Sequence, residues 1–320
     1  NASIGEIFFT SGGTESSNMV LKTAHRDRGI RRFISSPTEH HCVLHTLQRL
    51  GREPDTEVLW LQTDAHGSPD LSQLETLLAH SPTPTLVSLM HANNETGALL
   101  DLERAGRICR AHGALFHSDT VQTMGYFPFD LEALPIDMMT GSGHKFYGPK
   151  GCGFVYIRGG TLDQPLMDGG SQERNMRAGT ENVYGISGLA LALSLAYEHL
   201  ESRQSQTRAV RAHLLQRLTE EFPEITVHSP SPDHCHYKVL NVSFPPSPRS
   251  EFLVMNLDIS GISVSGGSAC SSGTEKGSHV LEAIGMEADR KAVRFSFSHK
   301  NTIAEADRVI DALIKAFKKD

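Results

Sequence analysis

The sequence predicts an α/β protein built on a mostly parallel sheet with helices on both faces. Up to about residue 200, short apolar runs alternate with stretches of helical periodicity, which is the rhythm of β-α-β units. Several of the apolar runs end in small or polar residues. Because ligands of such sheets bind beyond the carboxyl ends of the strands, we expect the functional site there.

The individual elements follow from this alternation. The predicted strands are EIFFTSG, RRFISSP, EVLWLQ, TLVSLMH, ALFHSDT and IDMMTGSGHK. Helices are predicted over 14–27, 41–51, 70–79 and 101–112. The apolar stretch YGISGLALALSLAYEHLESR then predicts a long, largely buried helix.

The chain beyond about residue 200 predicts a smaller α+β domain. Apolar residues recur at helical spacing at Val210, Leu214, Leu218 and Phe222. The strands KVLNVSF and AVRFSFS follow, and a final helix has one apolar face made of Ile303, Ile310, Leu313, Ile314 and Phe317. We therefore expect a large domain over 1–200 and a small one over 201–320.

Composition argues against several classes of protein. The 30 basic and 37 acidic residues give a net charge of -7 without a basic tract, so no nucleic-acid partner is expected. No apolar run approaches the length of a membrane span, and no secretory signal opens the chain. The five cysteines are odd in number and far apart, which favours a reducing, cytoplasmic location over a disulfide framework.

The densest polar cluster is TGSGHKFYGPKGCG, residues 140–153. It does not match a P-loop, because Gly148 is followed by Pro149 rather than by lysine. Lys145 instead stands at a strand end, where a partly desolvated lysine can form a Schiff base with an aldehyde cofactor. The alternative for Lys145 is an exposed lysine in a turn.

A second candidate is Asp119, in ALFHSDTVQT, with Gln122 three residues later. A buried carboxylate at this strand end can pair with a pyridinium nitrogen and so keep a pyridoxal ring an electron sink. The alternative is that Asp119 caps the next turn or helix. Lys145 and Asp119 on successive strands together predict an enzyme that uses pyridoxal 5'-phosphate (PLP).

A phosphate seat is predicted in FFTSGGTESSNM, where a strand runs through Gly-Gly-Thr into a helix. The backbone N–H groups of Gly13 and Thr14 would face outward at the positive end of the helix dipole. Thr14 can alternatively be the N-cap of that helix. His40, in SPTEHHCVL, follows the next strand and could stack on a cofactor ring or merely open a helix.

Cys270 lies in the Ser- and Gly-rich run SVSGGSACSSGTEKGS, residues 263–278, where an exposed thiol can be reactive. The alternative is an incidental loop cysteine. Cys42, Cys109 and Cys152 lie in helical or strand patterns and are expected to be packing residues. The tripeptide HCH at 234–236 lacks the ligand spacing of a zinc site, which favours a solvated loop and no metal.

Eight segments in this order carry a resemblance: TSGGTES, TEH, HANNETG, HSDTVQT, SGHKFYGPKG, RAGTEN, GGSACSS and RFSFS. Over essentially the whole chain the sequence resembles the cysteine desulfurases, class V PLP enzymes of fold type I. Two departures stand out. The resembling proteins begin with a further segment that precedes the position of Asn1, and many have an arginine where Gly-Gly precedes SACSS here.

The resemblance implies a role for each candidate. It makes Lys145 the Schiff-base lysine and the base at the substrate Cα. It pairs Asp119 with the pyridinium nitrogen, Gln122 with the ring hydroxyl and His40 with the ring face. It assigns the phosphate to Gly13, Thr14, Ser142 and His144, and to Thr180 of a neighbouring subunit, so a homodimer with a shared site is implied.

The resemblance also implies the substrate, L-cysteine, whose carboxylate would be bound by Asn94 and Arg294. Cys270 would attack the substrate sulfur, giving L-alanine and a persulfide for transfer to an acceptor or scaffold protein. Iron–sulfur cluster assembly and thiolation are the pathways implied.

Rival interpretations remain at the level of sequence. A selenocysteine lyase would keep nearly all of these residues. A nucleotide-binding α/β protein would use SGGTES and GPKGCG as phosphate loops, leave Lys145, Asp119 and Cys270 unexplained, and show no visible absorbance. An inactive sulfur-scaffold subunit would lack Lys145 or Cys270, and both are present.

Overall fold

The computed structural model of the protein describes residues 1–266 and 277–318. They divide into two compact units. The first unit comprises Asn1–Thr63, Pro69–Ala92 and Leu100–Leu200. The second unit comprises Asp64–Ser68, Asn93–Leu99 and the chain from Glu201 onward.

The first unit is built on a seven-stranded sheet. Its strands are β1 Ile7–Thr10, β2 Arg32–Ser35, β3 Glu57–Trp60, β4 Thr85–Ser88, β5 Leu115–Asp119, β6 Met138–Ser142 and β7 Gly153–Ile157, in the order β1-β7-β6-β5-β4-β2-β3. The neighbours from β6 to β3 are all parallel, which confirms the predicted mostly parallel sheet.

Strand β7 is the exception, since it pairs antiparallel with both β1 and β6. The sequence prediction missed it, because GFVYI was grouped with the polar cluster that precedes it. All five of its residues are buried. A short apolar run bounded by glycines is the signal that identifies such a strand.

Helices cover both faces of this sheet. They are α1 Gly13–Asp27, α2 His41–Leu50, α3 Leu71–Ala79 and α4 Leu102–Ala111. One apolar cluster packs α1 and α2 against the sheet, and another packs α3 and α4. Asp70 and Asp101 cap α3 and α4 by accepting backbone N–H groups of their first turns.

The long helix predicted after residue 183 differs from expectation. It is two helices, α5 Val183–Glu198 and α6 Leu200–Glu221, with a break at His199. The prediction that this stretch is largely buried is wrong for α5, because Tyr184 is 93% and Leu191 62% exposed. Helix α5 has apolar residues on all sides, and one helix can bury only one side against one sheet.

The second unit contains α6 and a three-stranded antiparallel sheet in the order β10-β9-β8. The strands are β8 Thr226–Val227, β9 Val239–Phe244 and β10 Lys291–Ser296, and the helices are α7 Leu253–Ile259, α8 His279–Ala283 and α9 Ile303–Lys318. The predicted apolar positions of α6 are buried, and so are Ile310 and Leu313 of α9, whereas Ile303 is exposed.

The solvated loop predicted for HCH is also wrong. Cys235 and His236 are completely buried, and the Arg211 guanidinium lies 3.3 Å from the Cys235 sulfur. Among the described residues no group of His, Cys, Asp or Glu could hold a metal ion. Across residues 1–266 and 277–318 no helix has the length and apolarity that a membrane span requires.

The helix α4 crosses Pro135 at a glycine. A Cβ atom added to Gly106 would lie 2.2 Å from the Pro135 carbonyl oxygen, so the helix can approach this closely only without a side chain. Alanine normally stabilises a helix by about 1 kcal/mol over glycine. At position 106 the added Cβ would clash with Pro135, so we expect alanine to destabilise the protein instead.

We expect Gly106→Ala to lower the free energy of unfolding by about 1–3 kcal/mol, as measured by urea denaturation. Gly159→Ala is the matched control, because a Cβ there meets nothing within 4 Å and we expect little change. A Gly106→Ala protein as stable as the wild type would contradict this packing.

Candidate active site

Two neighbouring parallel strands bring the predicted residues to one edge of the sheet. Asp119 is the last residue of β5, and Ser142 is the last residue of β6. The register pairs Asp119 with Thr140. Asp119 and Ser142 are both buried, so the edge is a polar site enclosed by protein.

The Asp119 carboxylate is held in a strongly desolvating environment. Burial raises the pKa of Asp119 to about 6, against the lowering effects of the Val121 backbone N–H, the Lys145 charge and the Thr140 hydroxyl. The Val121 N–H donates to Oδ1 over 2.9 Å. The carboxylate therefore remains an anion at neutral pH that would gain from a further positive charge.

Lys145 follows directly on β6, in the 3₁₀ helix Gly143–Phe146. It is half-buried, rather than the fully exposed turn lysine of the alternative interpretation. Its carbonyl accepts a hydrogen bond of 3.0 Å from the Tyr126 hydroxyl. Because the Lys145 charge lowers the pKa of Asp119, the predicted lysine and carboxylate lie in the same site.

The segment predicted as a phosphate seat is the start of α1. Its N-cap is Gly12, so the alternative that Thr14 is the N-cap is wrong. Gly12 has φ 151°, and a Cβ on Gly13 would lie 2.5 Å from Val121 Cγ2. The bare backbone N–H groups at the helix start are thus packed close to the end of β5.

Ser142 and His144 stand beside this helix start. A Cβ on Gly12 would be 3.6 Å from Ser142 Oγ, and Ser142 Oγ lies 2.9 Å from His144 Nδ1. The two side chains and the helix terminus make a set of donors typical of anion sites. Thr14 is exposed at the same helix start.

RAGTEN contributes a residue that sequence reasoning missed. The Arg177 guanidinium forms an ion pair with Glu15, with Nε 2.7 Å from Oε1, and so fastens this segment to the first turn of α1. The motif predicts a site role for Thr180 alone, and no sequence signal pairs Arg177 with a carboxylate 162 residues away. Thr180 itself is exposed.

His40 is the N-cap of α2, and Cys42 contacts both His40 and the buried Asp119 carboxylate. The Cys42 backbone N–H donates to His40 Nδ1 over 3.2 Å, and the Cys42 sulfur lies 3.1 Å from the same nitrogen. The Cys42 thiol donates to Asp119 Oδ2 over 4.0 Å. His40, Cys42 and Asp119 are thus brought together, and Gln122 is half-buried three residues beyond Asp119.

Glu39 is a second residue that sequence reasoning missed, although it stands in the quoted TEH. It is 1% exposed, and its Oε1 accepts a hydrogen bond of 2.6 Å from the Met90 N–H. Burial raises the pKa of Glu39 well above its usual range, against the effect of that hydrogen bond. Asp119 is therefore the more readily ionised of these two buried carboxyl groups.

The two predicted substrate-binding residues meet in the second unit. Arg294 of β10 donates from Nη1 to the backbone carbonyl of Asn94 over 2.9 Å, and both residues are half-buried. Glu95 beside them is buried and accepts a hydrogen bond from the Ser278 hydroxyl. Burial raises the pKa of Glu95, an effect opposed by Ser278 and by the Arg294 charge.

Cys270 lies outside the described residues. The described positions on either side of it are both attached to this part of the second unit. Ser265 exchanges backbone hydrogen bonds with Arg294, and Ser278 donates to Glu95. Sequence reasoning missed Glu95 and Ser278, because neither spacing nor residue type distinguishes a buried side-chain pair 183 residues apart.

The residues of the first unit fit PLP. A buried carboxylate suits a protonated ring nitrogen, a neighbouring lysine suits an aldehyde, and a helix start with a hydroxyl and an imidazole suits a phosphate. All three groups of donors occur at one edge of one sheet. Their chemistry matches the three polar parts of this cofactor.

Comparison with known proteins gives the family of this chain. The aminotransferase class-V family matches residues 1–309. A cysteine desulfurase of Gluconacetobacter diazotrophicus is 39% identical over 311 residues, which make up 96% of this chain and 77% of that protein.

Solved structures show the same fold. A NifS-like protein has a TM-score of 0.87 at 36% identity, with 99% of this chain and 83% of that chain covered. SspA in complex with cysteine has a TM-score of 0.78 at 30% identity, with 93% and 83% covered. The prediction of fold type I is confirmed. The chain belongs to the aminotransferase class-V family and, within it, to the cysteine desulfurases, which are enzymes.

Proposed function

We propose that this protein is a PLP-dependent cysteine desulfurase, which converts L-cysteine into L-alanine and keeps the sulfur as a persulfide on Cys270. The observation that carries the proposal is the buried Asp119 carboxylate with the Lys145 charge beside it. Burying an anion this deeply is costly, and a site for a positively charged ring explains why it is kept.

PLP, when bound, supplies an electron sink for charge that develops at the substrate Cα. Asp119 would hold the ring nitrogen in its charged form, Gln122 would hydrogen-bond the ring hydroxyl, and His40 would stack on the ring face. Lys145 would join the cofactor covalently and then move the proton at the substrate Cα as a neutral amine. Its position directly after β6 keeps it beside Asp119.

The phosphate would be bound by the start of α1 at Gly13 and Thr14, with Ser142 and His144. Thr180 would serve the site of a second subunit, which makes the active enzyme a homodimer with shared sites. Its exposure supports this role, because its hydroxyl is open to another chain. The exposed apolar side chains of α5 support a partner subunit as well.

Arg294, with Asn94, would bind the substrate carboxylate. A guanidinium offers two parallel N–H groups that match both oxygens of a carboxylate. The hydrogen bond to the Asn94 carbonyl uses Nη1 and fixes the guanidinium plane. The large domain over 1–200 would therefore bind the cofactor, and the small domain over 201–320 would supply Arg294 and Cys270.

Cys270 would take the sulfur as a thiolate. The bond between the substrate Cβ and its sulfur breaks, a sulfur–sulfur bond forms on Cys270, and the proton of the attacking thiol ends on the alanine. L-cysteine and one protein thiol thus give L-alanine and one protein persulfide. A sulfur-acceptor or scaffold protein would then receive the sulfur for iron–sulfur cluster assembly or thiolation.

A cytoplasmic location is part of the same proposal. Cys42, Cys109, Cys152 and Cys235, the cysteines of the described residues, are all free and buried. Free thiols and a nucleophilic cysteine both suit a reducing compartment.

Lys145→Ala is the experiment that tests the proposed function most directly. We expect the wild-type protein to acquire a visible absorption band after incubation with PLP and desalting, and the variant to acquire none, because the amine is the covalent partner. Lys150→Ala, an exposed lysine five residues away, is the control that should keep the band. A colourless wild type would favour a nucleotide-binding protein instead.

Asp119→Asn separates function from stability. Burial raises the pKa of Asp119 to about 6, above the ordinary value of an aspartate, so ionised Asp119 costs stability that is regained as the pH falls through this range. We expect the cofactor-free variant to melt no lower than the wild type at about pH 7, and to lose this relative advantage near pH 4.

The same variant should bind PLP at least about tenfold more weakly, since amide and ring nitrogen cannot form a charged pair. Absorbance titration measures the affinity. The exposed Asp163→Asn serves as control. Wild-type affinity in Asp119→Asn would remove Asp119 from the assigned role.

Cys270→Ser tests the sulfur step. We expect this variant to bind PLP and to respond spectrally to L-cysteine, but to form neither protein persulfide nor more than a trace of alanine. Mass spectrometry of the protein and alanine quantification provide the measurements. Cys109→Ala, at a buried helix position, is the control and should behave as wild type. Normal alanine release by Cys270→Ser would show that Cys270 is not the nucleophile.

A further inference from the structure

We infer that Cys42 is a positioning residue, whose backbone N–H holds His40 Nδ1 and whose thiol donates to Asp119, so that one residue fixes both side chains at the cofactor ring. The inference rests on the proposed function, because it assigns Cys42 a task toward the same bound ring. It goes beyond packing, the role that the sequence predicts for this cysteine.

The geometry places the Cys42 sulfur between the two side chains. Cys42 is the second residue of α2 and is 9% exposed. Its sulfur lies 3.1 Å from His40 Nδ1 and 4.0 Å from Asp119 Oδ2. One side chain from the start of α2 thus links the cap of that helix to the end of β5.

The proton positions follow from the donors. The Cys42 backbone N–H, 3.2 Å from His40 Nδ1, can only donate, so Nδ1 is an acceptor and the neutral ring carries its proton on Nε2. On Asp119, Oδ1 already accepts the Val121 N–H, and Oδ2 is the oxygen that faces the thiol.

The thiol has one proton and must keep it to donate to Asp119. Burial raises the pKa of Cys42 far above its ordinary value, and the nearby charge of Asp119 adds to this effect. The thiol is thus a neutral donor and would not compete with Cys270 as a nucleophile. It contributes a polar contact to the anion without adding a second charge.

Packing alone and donation to Asp119 make different predictions for Cys42. A residue that only fills space should be replaceable by alanine or valine with an effect on stability alone. A donor to Asp119 should instead be replaced best by serine, whose hydroxyl also donates. Cys109 offers a matched control, because it is also a buried helix cysteine, in α4, and burial raises its pKa as well.

The first experiment is a PLP titration followed by absorbance, with a pH titration of the visible band. We expect Cys42→Ala to weaken PLP affinity by about three- to tenfold and to shift the pH at which the band changes. Cys42→Ser should recover most of the wild-type values, and Cys109→Ala should match the wild type. Should Cys42→Ala fail to fold, Cys42→Val compared with Cys42→Ser makes the same distinction.

The second experiment does not need the cofactor. Nitrogen-15 NMR of histidine-labelled, cofactor-free protein reports the ring tautomer, and His40→Gln identifies the His40 signals. We expect Nδ1 to be unprotonated and Nε2 to carry the proton. A ring protonated at Nδ1 would overturn the inference.

The outcomes separate this inference from the proposed function. A wild type that binds no PLP would refute the proposed function, while the NMR result would still decide which ring nitrogen of His40 carries the proton. A wild type that binds PLP, with Cys42→Ala equal to it in affinity and in the pH dependence of the band, would refute the role of Cys42 alone.

Discussion

Asp119 carries a carboxylate into the interior of the first unit, and the neighbouring contacts follow from the need to keep it ionised there. A buried anion without partners would simply take up a proton. Here the Val121 N–H, the charge of Lys145 and the Cys42 thiol all address the same carboxylate. The result is a group that is costly for folding and well suited to a positively charged ring.

The parallel arrangement of the strands places other polar residues beside the Asp119 carboxylate. Strands β5 and β6 end side by side, so Asp119, Ser142 and Lys145 share one edge although they are far apart in sequence. The start of α1 approaches the same edge closely because Gly13 has no side chain to meet Val121, and Gly12 before it has φ 151°. Helix dipole, hydroxyl and amine are therefore fixed by backbone geometry before any ligand arrives.

The cysteines show how environment assigns chemistry. Cys42 is buried beside an anion, which raises its pKa and makes its thiol a hydrogen-bond donor. Cys235 is buried against the Arg211 guanidinium, whose effect opposes the rise in pKa caused by burial. Cys270 stands in a Ser- and Gly-rich run, where access is the property that a nucleophile requires.

Helix α5 has an exposed apolar face. Tyr184, Leu191 and Leu195 are open to solvent in the single chain, although the helix is rich in apolar residues throughout. Apolar area of this kind is normally covered in the functional assembly. In the homodimer proposed above, the partner subunit would cover this face and would also receive Thr180 in its site.

The sequence by itself determined the alternation of strands and helices, because periodicity is a local property, and it predicted Asp119 and Lys145 at strand ends. It also predicted the polar residues found at this sheet edge, since their types and order along the chain are specific. Only the tertiary structure decided which apolar surfaces are covered. GFVYI is a buried antiparallel strand, α5 has an open face, and Cys235 and His236 of HCH lie in the interior.

Only the tertiary structure, likewise, decided the side-chain contacts between distant segments. Three contacts join positions 77, 162 and 183 residues apart. They are the hydrogen bond of Cys42 to Asp119, the ion pair of Glu15 with Arg177 and the hydrogen bond of Ser278 to Glu95. Such contacts depend on how strands and helices pack in three dimensions. A local pattern of residues carries no information about that packing.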